Sequence, residues 1–206
     1  MKEVVVFIHG IWVNGLEQAL LRHRVRACGY DCRQFSYHSL LRTPQQNAAR
    51  LQAFLERLEA DVVHLVAHSL GGIVLMHLFD RYPDQRPGRV LLLGTPLNGS
   101  SLARKIHRFA PARPLLGRAV QRGLLGDMPR WKGARPLGMI AGNRGIGFGL
   151  LVFNRLERPH DGTVCVRETL SPAVGHHLEV PYSHTQMLFV RPVAEAVCTY
   201  LDRGRF

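Results

Sequence analysis

Long hydrophobic runs are missing from this sequence of 206 residues. No stretch approaches the roughly 20 apolar residues that a membrane-spanning helix needs. The apolar run that opens the chain, residues 4–8, is also too short for the core and cleavage site of a secretory signal peptide. We therefore expect a cytoplasmic protein.

Cysteine is scarce and scattered, at Cys28, Cys32, Cys165 and Cys198. Cys28 and Cys32 are close in sequence, but no second pair at metal-ligand spacing accompanies them. This pattern does not fit a structural zinc site, and it predicts free, reduced thiols.

Acidic residues are also few. The chain has 15 aspartates and glutamates and 27 lysines and arginines, most of them arginines. The formal net charge of +12 favours anionic partners in general, whether phospholipid, nucleic acid or an acidic ligand. An arginine-rich composition is also typical of proteins from high-GC genomes, so the net charge by itself establishes no partner. We expect no nucleic-acid partner, and the sequence leaves the oligomeric state open.

The chain is long enough to bury one good core and too short for two domains of comfortable size. Its composition, 46% hydrophobic and 20% charged, is ordinary for a globular protein. Residues 1–206 are therefore expected to form a single domain.

The most informative stretch is an apolar, strand-like run that ends in Ala67-His68-Ser69-Leu70-Gly71 and continues into a helix-like run. Small-x-Ser-x-Gly between a strand and a helix is the pattern of a nucleophile elbow, which exposes the serine hydroxyl at the top of a sheet. Ala67 and Gly71 are small, as a sharp turn requires. The sequence thus predicts Ser69 as a nucleophile.

The first apolar strand ends in His9-Gly10-Ile11. In hydrolytic sites of this type, the loop after an early strand contributes one backbone N–H to the oxyanion hole, and the residue after the nucleophile contributes the other. We assign these two donors to Ile11 and Leu70.

A serine nucleophile needs a base, and histidine accepts a proton near neutral pH. A carboxylate then fixes the tautomer of that imidazole. Asp161 lies in an Asp-Gly turn, and His184 lies in a loop before the last helical segment. Ser69, Asp161 and His184 follow one another in the chain order that a nucleophile elbow uses, so we predict them as a catalytic triad.

Other residues compete for the base and the acid. The alternative histidines are His107, His176 and His177, and the alternative carboxylates are Asp127, Glu157 and Glu168.

Apolar strand-like runs alternate along the chain with amphipathic helical ones, which predicts an α/β fold with a mostly parallel central sheet and helices on both faces. Strands are expected at residues 3–8, 30–37, 62–68, 89–96 and 137–143. Helices are expected at residues 16–28 and 43–60, after Ser69 as far as Pro83, and near the C-terminus up to Asp202, with a break at Arg191-Pro192.

Two of these helices carry more detailed expectations. The first is expected to bury one face, formed by Leu16, Ala19, Leu20, His23 and Ala27. Thr43, Pro44 and Gln46 have the pattern of a capping box at the start of the second helix. That helix is expected to bury Ala48, Leu51, Leu55 and Leu58.

Residues 100–136 break the alternation and carry nine basic side chains against one acidic one, Asp127. Apolar residues recur there at roughly helical spacing, and Pro111 and Pro114 are expected to divide the segment into two short helices. Three roles remain open for this segment. It is a cap over the site, a face that lies on an anionic membrane, or a peripheral helix pair packed on the core.

Two further patterns do not support a cofactor or a metal. The glycines at 145, 147 and 149 do not lie in an early strand–helix turn, so they predict a mobile loop and no dinucleotide site. His64 and His68 would be about 13 Å apart on a strand, too far to share a metal ion. We expect His68 to pack beside the elbow, and we expect no cofactor and no metal.

Five motifs together resemble the α/β-hydrolase lipases and esterases, with the small bacterial triacylglycerol-lipase type and the PGAP-like serine hydrolases as the nearest groups. They are His9-Gly10, Ala67-His68-Ser69-Leu70-Gly71-Gly72, Gly94-Thr95-Pro96-Leu97-Asn98-Gly99-Ser100, Asp161-Gly162-Thr163-Val164 and Ser183-His184-Thr185-Gln186-Met187-Leu188. The resemblance covers most of the chain except residues 101–136. It implies an α/β-hydrolase fold, an oxyanion hole, an acyl-serine and ester substrates, without naming a particular ester.

The residues and the resemblance together predict a carboxylic ester hydrolase that acts on a small-molecule ester or a lipid. Ser69 attacks the acyl carbonyl, His184 moves the proton and Asp161 orients His184. Two alternatives remain open. One is transfer of the acyl group to an alcohol or amine, and the other is a non-catalytic scaffold that binds an anionic partner through residues 101–136.

Overall fold

Six strands form one all-parallel sheet in the computed structural model, which describes residues 2–135, 137–145 and 156–206. The strands are β1 (Glu3–Ile8), β2 (Asp31–Phe35), β3 (Val62–His68), β4 (Val90–Leu93), β5 (Leu137–Gly142) and β6 (Val174–Val180). They lie in the order β2-β1-β3-β4-β5-β6, so β3 is a central strand. Ligands of open parallel sheets bind at the carboxyl ends of such strands.

Helices cover both faces of this sheet, as predicted. They are α1 (Ala19–Ala27), α2 (Pro44–Glu56), α3 (Leu70–Arg81), α4 (Ser101–Arg108), α5 (Val166–Thr169) and α6 (Arg191–Arg203), with 3₁₀ helices at Leu16–Gln18, Ala110–Val120 and Gln186–Leu188. The helices α2, α3 and α4 pack on one face. The helices α1 and α6 pack on the other. The sheet is therefore the centre of a three-layer α/β fold, as expected.

The strands β1, β3, β4 and β5 were recognisable because they are buried on both faces and therefore read as nearly continuous apolar runs. Strand β6 was not predicted. It lies at the edge of the sheet, is half exposed and contains His176, His177 and Glu179, so its sequence has no apolar run.

The capping box predicted for α2 is confirmed. The Thr43 hydroxyl accepts a hydrogen bond from the N–H of Gln46, and the Gln46 side chain accepts one from the N–H of Thr43. Ala48, Leu51 and Leu55 are buried against the sheet, whereas the helix ends at Glu56, before Leu58.

The predicted buried face of the first helix is wrong. The segment starts with a 3₁₀ turn at Leu16–Gln18, and α1 then buries Leu21 and Val25. Leu21 and Val25, four residues apart, form a second apolar stripe on the same helix, and it is this stripe that packs against the sheet. Leu16 is 74% exposed and Leu20 is 38% exposed.

The basic segment is partly helical, with α4 followed by a 3₁₀ stretch at Ala110–Val120 that is interrupted at Gly117. The predicted division at Pro111 and Pro114 is wrong, because both prolines lie within the second stretch and α4 ends before them. Hydrogen bonds tie the segment to the rest of the fold. The Trp12 indole N–H donates to the carbonyl of Leu115 at 2.5 Å, and the N–H of Arg118 donates to the carbonyl of Leu40. His77 on α3 is hydrogen-bonded to the carbonyl of Arg122.

Gly147 and Gly149 of the predicted mobile loop lie outside the described residues. In the parts of the chain that the structure describes, no helix has the length and apolar character required to cross a bilayer. Contact with an anionic membrane and the cytoplasmic location stay predictions.

A disulfide joins Cys28, at the end of α1, to Cys198 on α6. The expectation of reduced thiols is therefore wrong for these two residues, while Cys32 and Cys165 are free and buried. The partners are 170 residues apart in sequence, so their spacing gave no sign of the pairing. Disulfides are rare in the reducing cytosol, so this bond gives no support to a cytoplasmic location.

We expect the double variant Cys28→Ser/Cys198→Ser to lose about 3 to 5 kcal/mol of its free energy of unfolding. The bond closes a very long loop and so restricts the unfolded chain strongly. Urea unfolding of oxidised wild type and of the variant measures the difference. Dithiothreitol should lower the wild-type midpoint to that of the variant and leave the variant unchanged. Equal midpoints for oxidised wild type and the variant would contradict the prediction.

Candidate active site

Ser69 lies at the sharp turn between β3 and α3, at the carboxyl edge of the sheet. Its backbone has φ 53° and ψ −120°, in the region that residues with a side chain rarely adopt. Such a conformation costs on the order of 1–3 kcal/mol and is typical of functional sites. The Thr95 hydroxyl donates a hydrogen bond to the Ser69 carbonyl at 3.0 Å and helps to hold the turn.

Two glycines permit the close approach of the loop after β1 to this turn. A Cβ at Gly10 would lie 3.2 Å from the Cβ of Ser69, and a Cβ at Gly71 would lie 2.6 Å from the carbonyl oxygen of Ile8. Side chains at these positions would push the loop and the elbow apart. The structure therefore brings the predicted oxyanion loop against the predicted nucleophile.

His184 and Asp161 form a buried pair. The Nδ1–H of His184 donates to Oδ2 of Asp161 at 2.6 Å, and the two loops are also joined by a backbone hydrogen bond from His184 to Asp161. The other carboxylate oxygen, Oδ1, accepts the N–H groups of Thr163 and Val164 at 2.9 and 2.7 Å. Asp161 is thus fixed in orientation, and its contact with Nδ1 leaves the Nε2 atom of His184 as the proton acceptor.

Ser69 and His184 line the same cavity, which has a volume of about 420 Å³. Ile11 also lines it, and Leu70 is the first residue of α3, so its N–H has no partner within the helix. Most of the remaining wall is apolar, with Trp12 and Val13 at its exposed side. The predicted nucleophile, base, acid and oxyanion loop therefore lie together at one end of the sheet.

His68 packs beside the elbow, as expected. Its ring lies 4.5 Å from that of His184, measured between centroids, and its Nε2–H donates to the His184 carbonyl at 3.2 Å. Burial lowers the pKa of His68 well below its ordinary value, and the neighbouring His184 lowers it further. His68 is therefore a neutral support for His184.

His9 fixes the loop that carries Ile11. Its ring stacks on Tyr37 with 4.2 Å between centroids, and Nε2 accepts the N–H of Tyr37. Its Nδ1–H donates to the carbonyl of Gly10 at 2.8 Å. Burial lowers the pKa of His9, so the neutral ring that this bonding pattern requires is favoured.

The competing histidines and carboxylates have other contacts. His177 is bonded to Thr169, Glu157 pairs with Arg167 on the surface, and Asp127 accepts the N–H groups of Arg122 and Gly123. The buried Glu168 accepts the N–H groups of Ser101 and Cys165. None of the six competitors lines the cavity that contains Ser69 and His184.

Sequence reasoning missed several residues of the site. Thr95 was part of a recognised motif, yet its role in holding the Ser69 carbonyl depends on the neighbouring strand and has no local signal. Trp12 and Thr163 line the cavity next to predicted residues, which only the folded loops reveal. Among the residues that the structure describes, no cluster of histidine, cysteine and carboxylate side chains could hold a metal ion.

Comparison with solved structures gives close matches of fold. The mature lipase BlEst2 of Bacillus licheniformis superposes with a TM-score of 0.76 at 22% identity, over 96% of this chain and 92% of that one. A metagenomic carboxyl esterase gives 0.74 at 18% identity, over 98% of this chain and 76% of that one. The phospholipase PlaB of Legionella pneumophila gives 0.68 at 15% identity, over 98% of this chain and 59% of that one.

At these identities the superpositions are a likeness of fold alone. No curated protein sequence is similar enough to this chain to count as a match. A family model described as the alpha/beta hydrolase family matches residues 5–200, which is nearly the whole chain. The chain therefore belongs to the alpha/beta hydrolase family.

Proposed function

We propose that this protein is a serine hydrolase of carboxylic esters. The observation that carries the proposal is the strained Ser69 in one cavity with His184, whose Nδ1 is bonded to the buried Asp161. The family supports it, and so do the structural neighbours, whose names describe a lipase, an esterase and a phospholipase. The non-catalytic scaffold would predict His184 away from Ser69 and without a carboxylate, which does not fit this arrangement.

In the first half of the reaction, Oγ of Ser69 attacks the acyl carbon while its proton passes to Nε2 of His184. The carbonyl π electrons move to the oxygen, and the N–H groups of Ile11 and Leu70 stabilise that oxyanion. The tetrahedral intermediate collapses, the bond to the alcohol oxygen breaks, and His184 returns the proton to that oxygen. An acyl-serine and a free alcohol result.

In the second half, a water molecule attacks the acyl-serine and gives a proton to His184. The same oxyanion forms and collapses, the bond between Ser69 Oγ and the acyl carbon breaks, and His184 returns the proton to Oγ. The Asp161 side chain, bonded to Nδ1, stabilises the imidazolium that forms twice in each cycle. This chemistry uses side chains, backbone N–H groups and water, and we propose no cofactor.

The proposal also concerns the organisation of the chain. We take residues 1–206 as one hydrolase domain in which the basic segment forms part of the wall over the site. Leu115 from this segment lines the cavity beside Trp12, which supports a role in covering the site over a purely peripheral one.

A fluorophosphonate probe tests the proposal directly, because it forms a stable bond only with an activated serine. We expect one adduct per folded chain, located by mass spectrometry on the peptide that contains Ser69. Heat-denatured protein is the control and should stay unlabelled. A folded protein that is not labelled and hydrolyses no p-nitrophenyl ester would contradict the proposal.

A further inference from the structure

Two cavities meet at Ser69. The wide one, of about 420 Å³, runs past His184 to the surface and is lined by His68, Leu115, Thr185 and Leu188 among others. The narrow one, of about 30 Å³, extends beneath the basic segment and is lined by Pro96, Leu102, Ala103, Ile106, Leu116 and Leu124 among others. Ser69 and Ile11 line both, so a carbonyl group held there has one cavity for each of its two substituents.

The position of His184 decides which substituent enters which cavity. The imidazolium must deliver its proton to the alcohol oxygen as that oxygen leaves, so the alcohol side of the ester has to face His184. His184 lines the wide cavity and is absent from the narrow one. The leaving alcohol therefore occupies the wide cavity, and the acyl group points into the narrow one.

The narrow cavity has little room. Its volume of about 30 Å³ is less than a tenth of that of the wide cavity, about 420 Å³. Close-packed protein interiors yield little to an added methylene group, so a long acyl chain would have to displace its walls. A short acyl group places the fewest carbons in this space, since its carbonyl carbon lies outside the cavity at Ser69.

The walls of the narrow cavity match an aliphatic group. Side chains from the basic segment contribute a large part of its lining, and Leu102, Ala103, Ile106 and Leu116 are each at most 3% exposed. Although the segment is strongly basic, its charged side chains do not line this cavity. The segment therefore presents apolar side chains to the substrate and its arginines elsewhere.

We infer that the protein selects esters with a short aliphatic acyl group, from acetyl to about butyryl, and a bulky apolar alcohol. This inference rests on the proposed function, because it uses the role of His184 as the acid. It makes the basic segment the determinant of acyl length. Long-chain glycerides and phospholipids would then be poor substrates, because their acyl chains exceed the narrow cavity.

A p-nitrophenyl ester series tests acyl length with a constant leaving group. We expect kcat/KM for the octanoate to be at least about 10-fold below that for the best of the acetate, propionate and butyrate. Each methylene group that an apolar pocket cannot accommodate weakens binding of the transition state. With acetyl held constant, 2-phenylethyl acetate should be a better substrate than ethyl acetate, because the two esters release aliphatic alcohols of similar leaving ability and differ in apolar size. A wild-type optimum at octanoate or longer would overturn the inference.

Leu115 and Leu116 offer a matched pair of variants, since these neighbouring leucines line different cavities. Leu116→Ala enlarges the narrow cavity and should raise the octanoate-to-acetate ratio of kcat/KM by about 10-fold or more. Leu115→Ala enlarges the wide cavity and should leave that ratio within about twofold of wild type. The inference fails if the acyl preference changes with Leu115 and not with Leu116.

Leu116 is buried, so its truncation could prevent folding, and a second variant acts in the opposite direction. Ala103→Val adds two methyl groups to the wall of the narrow cavity. It should lower kcat/KM for the butyrate relative to the acetate by about 10-fold. An unchanged ratio in a variant that melts like wild type would overturn the assignment of this cavity to the acyl group.

Failure of the inference and failure of the proposed function give different results. If the proposed function is wrong, the fluorophosphonate probe does not react and none of the esters is hydrolysed. If only the inference is wrong, the probe labels Ser69 and esters are hydrolysed, but the preferred acyl chain is long or does not respond to Leu116→Ala and Ala103→Val.

Discussion

Ser69→Ala is expected to lower kcat for p-nitrophenyl butyrate by about 10⁶-fold, because the alanine variant has no oxygen to form the acyl intermediate. Residual turnover above the uncatalysed rate would come from the oxyanion hole and substrate binding alone. The backbone strain at this position is the same for serine and alanine, so the variant should melt close to the wild-type temperature. Initial rates over a range of substrate concentrations measure the loss.

Ser36→Ala is the matched control for this substitution. Ser36 is exposed at the end of β2, where its hydroxyl donates to the carbonyl of Asn14, and it does not line the cavity. The control should keep the wild-type rate and its reaction with the fluorophosphonate probe. A Ser69→Ala preparation that retains more than about 1% of wild-type kcat would show that another group is the nucleophile.

Asp161→Asn is expected to lower kcat by about 10⁴-fold through the tautomer of His184. The N–H groups of Thr163 and Val164 donate to Oδ1, so the oxygen of the new amide will stay on that side. Its NH₂ group then faces Nδ1 of His184 and can only donate to it. The imidazole proton is forced onto Nε2, which can no longer accept the proton of Ser69.

Glu157→Gln is the control, since this carboxylate is exposed, pairs with Arg167 and competes with Asp161 in sequence alone. It should leave kcat unchanged. The substitution at Asp161 should affect kcat far more than KM, because the carboxylate does not contact the substrate directly. Loss of activity in Glu157→Gln with retention in Asp161→Asn would reverse the assignment of the acid.

The parallel core of the sheet could be predicted because the strands buried on both faces are nearly continuous apolar runs. The edge strand β6 could not, since it exposes His176 and Glu179 and contains no apolar run. The buried face of α1 was also mispredicted, because the helix has a second apolar stripe at Leu21 and Val25 and packing against the sheet and α6 decides which stripe is buried. In both cases the information lies in neighbours that the local sequence does not contain.

The candidate triad was predicted from chemistry and chain order, because an elbow serine needs a base and an acid, and its catalytic role stays a prediction. The residues that hold the candidate triad in place could not be predicted in this way. The hydrogen bond from Thr95 to the Ser69 carbonyl and the packing of His68 on His184 join segments that are far apart in sequence. The Cys28–Cys198 disulfide is the extreme case, since nothing near either cysteine indicates its partner.

Trp12 links the 3₁₀ helix at Ala110–Val120 to the loop that carries Ile11. Its backbone directly follows Ile11, its N–H donates to the Ser39 hydroxyl, and its indole N–H donates to the Leu115 carbonyl. A displacement of the 3₁₀ helix at Ala110–Val120 away from the sheet would pull on the indole and strain the loop beside it. Under the proposed mechanism, a movement that widens the entrance would also disturb the N–H of Ile11, so substrate access and stabilisation of the oxyanion would be coupled.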